Sequence, residues 1–172
     1  MFVFYDTETT GTNVTFDQIV QFSAVLTDEA FQEVDRLDIK CRVLPWIVPA
    51  PKALLVTKTS PSALSDPSRP SFFEMMEIIQ KRLTSWSPAT FIGYNSLRFD
   101  ETFLHRALWQ SLHEPYLTVT NGNSRSDLLP ILRAAARERL WRGELAPESR
   151  PSFHDAERGT NRRRITRVDF ET

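Results

Sequence analysis

The chain is poor in several things. It has one cysteine, Cys41, in 172 residues. An internal disulfide is therefore excluded, and a reducing cytosol is the expected home, so a cytoplasmic location is read. It has five glycines and no low-complexity run, which excludes collagenous and linker-like classes. No apolar stretch approaches the roughly 18 residues of a membrane helix, so no membrane partner is expected. The N-terminal apolar run, about four residues with no basic region ahead of it, does not read as a signal peptide. No charge of one sign dominates: 21 Lys and Arg face 22 Asp and Glu, a net charge of −1. Composition alone thus carries no nucleic-acid signal. The charge is uneven along the chain, however. Residues 1–132 hold 11 basic against 15 acidic side chains, and residues 133–172 hold 10 against 7, so net −4 is followed by net +3.

What is present is organised around Phe2 to Gly11. Phe2 to Tyr5 is an apolar, aromatic run of the kind that forms a buried strand. It ends in Asp6 and Glu8. Side chains two apart on a strand point to one face, so these carboxylates can converge at the strand tip. Two close carboxylates repel, and burial adds a desolvation cost. A divalent cation offsets both; Mg²⁺ takes hard oxygen ligands, usually one or two carboxylates with substrate phosphates. An Asp-x-Glu running into a polar turn is common by itself, so the pair needs support from elsewhere.

Along the chain, Gln18 to Thr27 is β-branched and apolar and should pair with the first strand. Asp28 and Glu29 mark a turn. Val34 to Val43 alternates as an outer antiparallel strand does. Residues 44–70 hold six of the eleven prolines and read as loop and short turns. Ser71 with Glu74 forms a capping box ahead of a helix. That helix places Phe72, Met75, Met76, Ile79 and Leu83 on one face, a core stripe. Thr90 to Tyr94 reads as a short buried strand. Asn95 to Arg98 turns the chain into a second helix with Phe99, Phe103, Ala107, Leu108 and Leu112 on its apolar face. Asp100 falls in its first turn, where a carboxylate gains from the helix dipole. Residues 115–125 read as loop. Ser126 or Asp127 caps a third helix to about Leu140, with Leu128, Ile131, Leu132 and Ala135 inward. Residues 154–172 have few apolar side chains and read as a disordered basic tail behind a domain spanning 1–153. Strands followed by helices predict an α/β fold with a mixed sheet.

Three blocks together resemble the DEDD 3′–5′ exonucleases, in the form of bacterial exodeoxyribonuclease I. Phe4 to Gly11 resembles the first exonuclease motif. Ile92 to Glu101 resembles the second. Asn123 to Leu129 and Arg150 to Phe153 resemble further segments. The resemblance implies a ribonuclease H-like fold with flanking helices and stepwise hydrolysis of single-stranded DNA from the 3′ end. It implies that Asp6, Glu8 and Asp100 hold catalytic Mg²⁺, or Mn²⁺ in its place. Glu8, Tyr116 and Arg133 would meet substrate: Tyr116 by stacking on a base, Arg133 at a phosphate.

The chain departs from the family at its third motif, His-x4-Asp, which supplies a general base and a fourth carboxylate. His154 begins a similar stretch, but Gly159 stands five residues on. Aligned from Pro151 to Phe153 instead, His154 falls where the family has a basic DNA-contacting residue. The expectation is a domain whose C-terminal part is incomplete, from a truncated or frame-shifted gene. Two readings stay open: a 3′–5′ exonuclease domain with a two-metal mechanism, its activity cut by the missing motif, and a non-catalytic nucleic-acid-binding or interaction module.

Overall fold

A computed structural model describes residues 1–142, except the side chain of Leu140. The expectations for 143–172 fall outside the described residues: the tail, the boundary at 153 and the place of His154. The chain divides into two compact units, 1–131 and 132–172.

The first unit is built on a five-stranded mixed sheet whose strands lie in the order β3 (Glu33–Lys40), β2 (Ile19–Thr27), β1 (Phe2–Thr9), β4 (Thr90–Gly93) and β5 (Ser124–Asp127). Strand β1 (Phe2–Thr9) is central, as its apolar run requires. It pairs antiparallel with β2 (Ile19–Thr27) and parallel with β4 (Thr90–Gly93). Strand β3 (Glu33–Lys40) pairs antiparallel with β2 and ends three residues earlier than the alternation suggests. The β2–β3 turn is held by Asp28, whose Oδ1 accepts from the Ala30 and Gln32 amides.

Alternation assigns the faces. Val3 and Tyr5 of β1 are buried opposite Leu26 and Ala24 of β2. Helix α3 (Phe72–Ser85) covers this face with the predicted stripe, and its Ser71–Glu74 capping box is formed in both directions. Helix α4 (Asp100–Gln110) adds Phe103, Leu104, Ala107 and Leu108 to the same core. At the β3 edge, Asp35 accepts from Arg82 at 2.6 Å and from the Trp86 indole at 2.9 Å, tying the end of α3 to the sheet.

Several expectations need correction. The proline-rich stretch holds two short helices, α1 (Pro51–Thr57) and α2 (Pro61–Leu64), each opened by a proline. Proline suits that place because the first-turn N–H has no helical partner. Leu112 is 95% exposed, since α4 stops at Gln110 and Leu112 takes a φ of 59°. Residues 124–127 are not loop or cap alone. Ser124–Asp127 is strand β5, parallel to β4. Helix α5 (Leu128–Trp141) follows, but Ile131 and Leu132 are 54% and 53% exposed and Ala135 is also exposed, so these side chains do not face inward. The described part of the second unit, 132–142, is the rest of α5 and its last turn, where Arg142 pairs with Glu138 at 2.5 Å. Among the described residues no helix is long and apolar enough to cross a membrane.

Candidate active site

The three parallel strands end on the same side, and in open α/β sheets ligands bind beyond the carboxyl ends of the strands. The candidate acids lie there. On β1, Asp6 is exposed and Glu8 half-buried, while Tyr5, Thr7 and Thr9 between and beside them are buried. The two acids therefore share the face turned away from α3 and α4, as their spacing predicts.

The chain beyond β1 is folded back tightly. The Thr10 amide donates to the Gln18 carbonyl at 2.9 Å, and its hydroxyl donates to Asp17 at 2.9 Å. The Asp17 carboxylate also accepts from the Asn13 amide at 2.8 Å. Gly11 is required by this closure, because a Cβ there would lie 2.3 Å from Asp17 Oδ2.

Asp100 reaches the site by a second tight turn. A Cβ on Gly93 would stand 2.4 Å from the Ser96 Cβ and 3.2 Å from the Tyr5 carbonyl, so β4 leaves the sheet through a glycine. Asn95 takes the left-handed conformation, φ 59°. Asp127, at the end of β5, clamps this turn: its carboxylate accepts from the amides of Asn95, Leu97 and Leu129 at 2.9, 3.3 and 2.9 Å. A short 3₁₀ turn (Ser96–Arg98) then delivers Asp100 to the first turn of α4. The regular β1–β4 pairing ends at Phe4. Beyond it, the Thr7 amide donates to Asp100 Oδ1 at 3.1 Å and the Thr7 hydroxyl to the same oxygen at 2.5 Å. Asp100, 1% exposed, is thus bonded to the residue between Asp6 and Glu8. Among the described residues, no group of three His, Cys, Asp or Glu side chains is arranged to hold a metal ion.

The residue that sequence reasoning missed is Glu101. It is 2% exposed, and its two oxygens are shared among four segments. Oε2 accepts from the Tyr5 hydroxyl at 2.7 Å. Oε1 accepts from the Thr118 hydroxyl and, at 2.9 Å, from Arg125 on β5. His105 Nε2 stands 2.8 Å from Oε1, an ion pair when the ring is protonated, though no well-aligned hydrogen bond joins them. Burial pushes the Glu101 carboxyl up, but its contacts with His105, Thr118 and Tyr5 outweigh this and bring it to about 2. Tyr5 moves the other way: burial, then the Glu101 charge, hold its hydroxyl far above the ordinary phenol range. The sequence did carry a signal. Glu101 falls on the stripe of Leu104 and Leu108, and a carboxylate on a buried stripe needs partners.

Tyr116 is 54% exposed, with its ring edge-on to His105 at 5.0 Å and 71°. Arg133 is exposed and belongs to the second unit.

The comparisons with known proteins agree with this architecture. An exonuclease family model, RNase_T, matches residues 3–156. Exodeoxyribonuclease I of Buchnera aphidicola subsp. Baizongia pistaciae is 35% identical over 139 residues, 77% of this chain and 28% of the relative. The Haemophilus influenzae enzyme of the same name is 32% identical over 139 residues, with the same coverage. The crystal structure of Escherichia coli exonuclease I with a dT13 oligonucleotide superposes with a TM-score of 0.72 at 29% identity, covering 78% of this chain and 29% of that one. A structure described as an ExoI/SSB-Ct complex gives the same TM-score and identity. The chain spans under a third of the length of these relatives. With the mixed sheet and the placement of both motifs, the match shows that this chain belongs to the exonuclease family and carries its ribonuclease H-like fold.

Proposed function

We propose that this chain is a 3′–5′ exonuclease domain that hydrolyses single-stranded DNA with two divalent cations, Mg²⁺ or Mn²⁺. The observation that carries the reading is the pair Asp6 and Glu8 on one open face at the end of the central strand, with Asp100 bonded to Thr7 between them. The donors suit the ion: Asp6 and Glu8 offer hard carboxylate oxygens that solvent reaches. They and Asp100 would hold the cations, which when bound supply an activated water and charge stabilisation for an in-line displacement at phosphorus.

The chain's own residues do the rest. Asp6 and Glu8 are placed by a strand that pairs with β2 along this stretch, Asp6 opposite Ser23 and Glu8 opposite Gln21. Thr7 orients Asp100 by donating to it twice. Tyr116 offers an exposed ring for a nucleobase, and the half-buried Glu8 would also meet the substrate, as the resemblance implies. Arg133 and, by its resemblance, His154 would meet phosphates. Cys41 is a buried free thiol, which fits the cytosolic location that we propose.

A second reading is a non-catalytic nucleic-acid-binding module. It is favoured by the burial of Asp100 and its bonds to Thr7, which serve the fold without any metal. One experiment separates the two. The chain is incubated with a 5′-labelled single strand and Mg²⁺ or Mn²⁺, beside Asp6→Ala. A ladder shortening from the 3′ end, lost with EDTA and in Asp6→Ala, supports the nuclease. Binding without shortening, unchanged in Asp6→Ala, supports the module.

A further inference from the structure

Asp100 and Glu101 are neighbours, yet they serve different parts of the molecule. Asp100 accepts from Thr7 on β1. Glu101 accepts from Tyr5, two residues earlier on the same strand, and from Arg125 on β5. Its third hydrogen-bond donor, Thr118, lies in the loop that carries Tyr116. His105, one turn further along α4, stands 2.8 Å from Glu101 and presents its ring to the edge of Tyr116. An apolar side chain on this stripe would fill the space without the cost of burying a charge. What a carboxylate adds is direction: each oxygen fixes where its donors lie.

We propose that Glu101 and His105 are positioning residues that hold the exposed Tyr116 ring in register with Asp100. A path of direct contacts joins the two ends: Thr7 to Asp100, then Glu101, then His105, then Tyr116. Glu101 also holds the loop two residues beyond Tyr116, by accepting from the Thr118 hydroxyl. The inference rests on the nuclease reading only for what Tyr116 stacks against, a nucleobase of a single strand. The link itself is a property of the chain. It makes the distance between the base platform and the acid end of α4 a fixed quantity.

The test has one arm without DNA and one with it. In the first, Glu101→Gln and His105→Ala are compared with the parent by amide exchange at Thr7 and by nitration of Tyr116 with tetranitromethane, with the melting curve recorded for each. Glu101→Gln should speed both exchange at Thr7 and nitration of Tyr116 several-fold below the melting transition. His105→Ala should speed nitration alone. His105→Phe, which restores a ring edge, should return nitration to the parent rate. In the second arm, anisotropy of a labelled dT oligonucleotide in EDTA should show binding weakened about tenfold in His105→Ala, within the range for one lost stack, and restored in His105→Phe. Unchanged Tyr116 nitration in both variants overturns the link, as does equal loss in His105→Phe and His105→Ala. A link seen in the first arm with no oligonucleotide binding by the parent would leave the positioning intact and overturn the nucleobase as what Tyr116 stacks against, while the Mg²⁺-dependent ladder tests the nuclease reading by itself.

Discussion

Thr7 is the side chain on which the site's geometry turns. Its hydroxyl and amide both donate to one oxygen of Asp100. Thr7→Val keeps the β-branched shape and removes the hydroxyl. We expect a loss of about 1.5–3 kcal/mol, the range for a hydrogen bond to a charged group, read by urea denaturation. Cleavage should fall further than stability explains. Gly11 is the second such position. Gly11→Ala drives a Cβ into the Asp17 carboxylate and should open the Thr10–Asp17 closure, costing about 1–3 kcal/mol. At this scale the sequence is partly legible. Asp6 and Glu8 are readable because strand alternation has a period of two, and the structure gives them one face. That Asp100 meets Thr7 is not readable, since the bond spans 93 positions and depends on two tight turns. Glu101 was readable in principle from its stripe, but a charged pair at a helix start looks like a dipole pair first.

Among the elements, α3 is the one the sequence specifies most completely. Cap, stripe and length agree, and all five stripe residues are buried. Ser71→Ala removes the hydroxyl that accepts from the Glu74 amide but leaves the backbone amide that donates to the Glu74 side chain, and should cost about 1 kcal/mol, measured by thermal or chemical melting. Strand β5 is the opposite case. Ser124 to Asp127 has no apolar residue, so no local pattern announces a strand. It exists because β4 leaves an open parallel edge, and because Asp127 finds three amides at the end of it. Helix α5 shows periodicity misread as burial. Ile131 lies on an apolar stripe yet remains 54% exposed. Ile131→Gln should therefore change stability by less than about 0.5 kcal/mol; a loss of several kcal/mol would mean that the stripe is covered in solution.

For the whole molecule, the mixed sheet could be foreseen because long apolar strands come first and amphipathic helices follow. The family could be foreseen because two acid-bearing blocks keep their order and context. The molecule also carries a dependence on alkaline pH. Burial pushes the Cys41 thiol from its ordinary 9.0 to about 11, and Tyr5 is raised as well. For both, the folded state holds the proton more tightly than the unfolded chain. Stability from Cys41 is then full below pH 9 and declines as the pH rises toward 11, by about 3 kcal/mol in all. Tyr5 extends the decline above its ordinary value of 10.0. Melting temperatures taken at intervals between about pH 8 and 11 should trace this limb. Cys41→Ala, although less stable at every pH, should show a flatter one.

The two neighbouring acids of α4 grip alternate residues of β1, Asp100 at Thr7 and Glu101 at Tyr5. This makes the strand intolerant of changes in count. One extra residue between Tyr5 and Asp6, with Tyr5 kept in place, would turn Asp6 and Glu8 under the helices and take the Thr7 donor away from Asp100. Divergence in this part of the chain must proceed by replacement, residue for residue, while the surface loops remain free to lengthen or shorten.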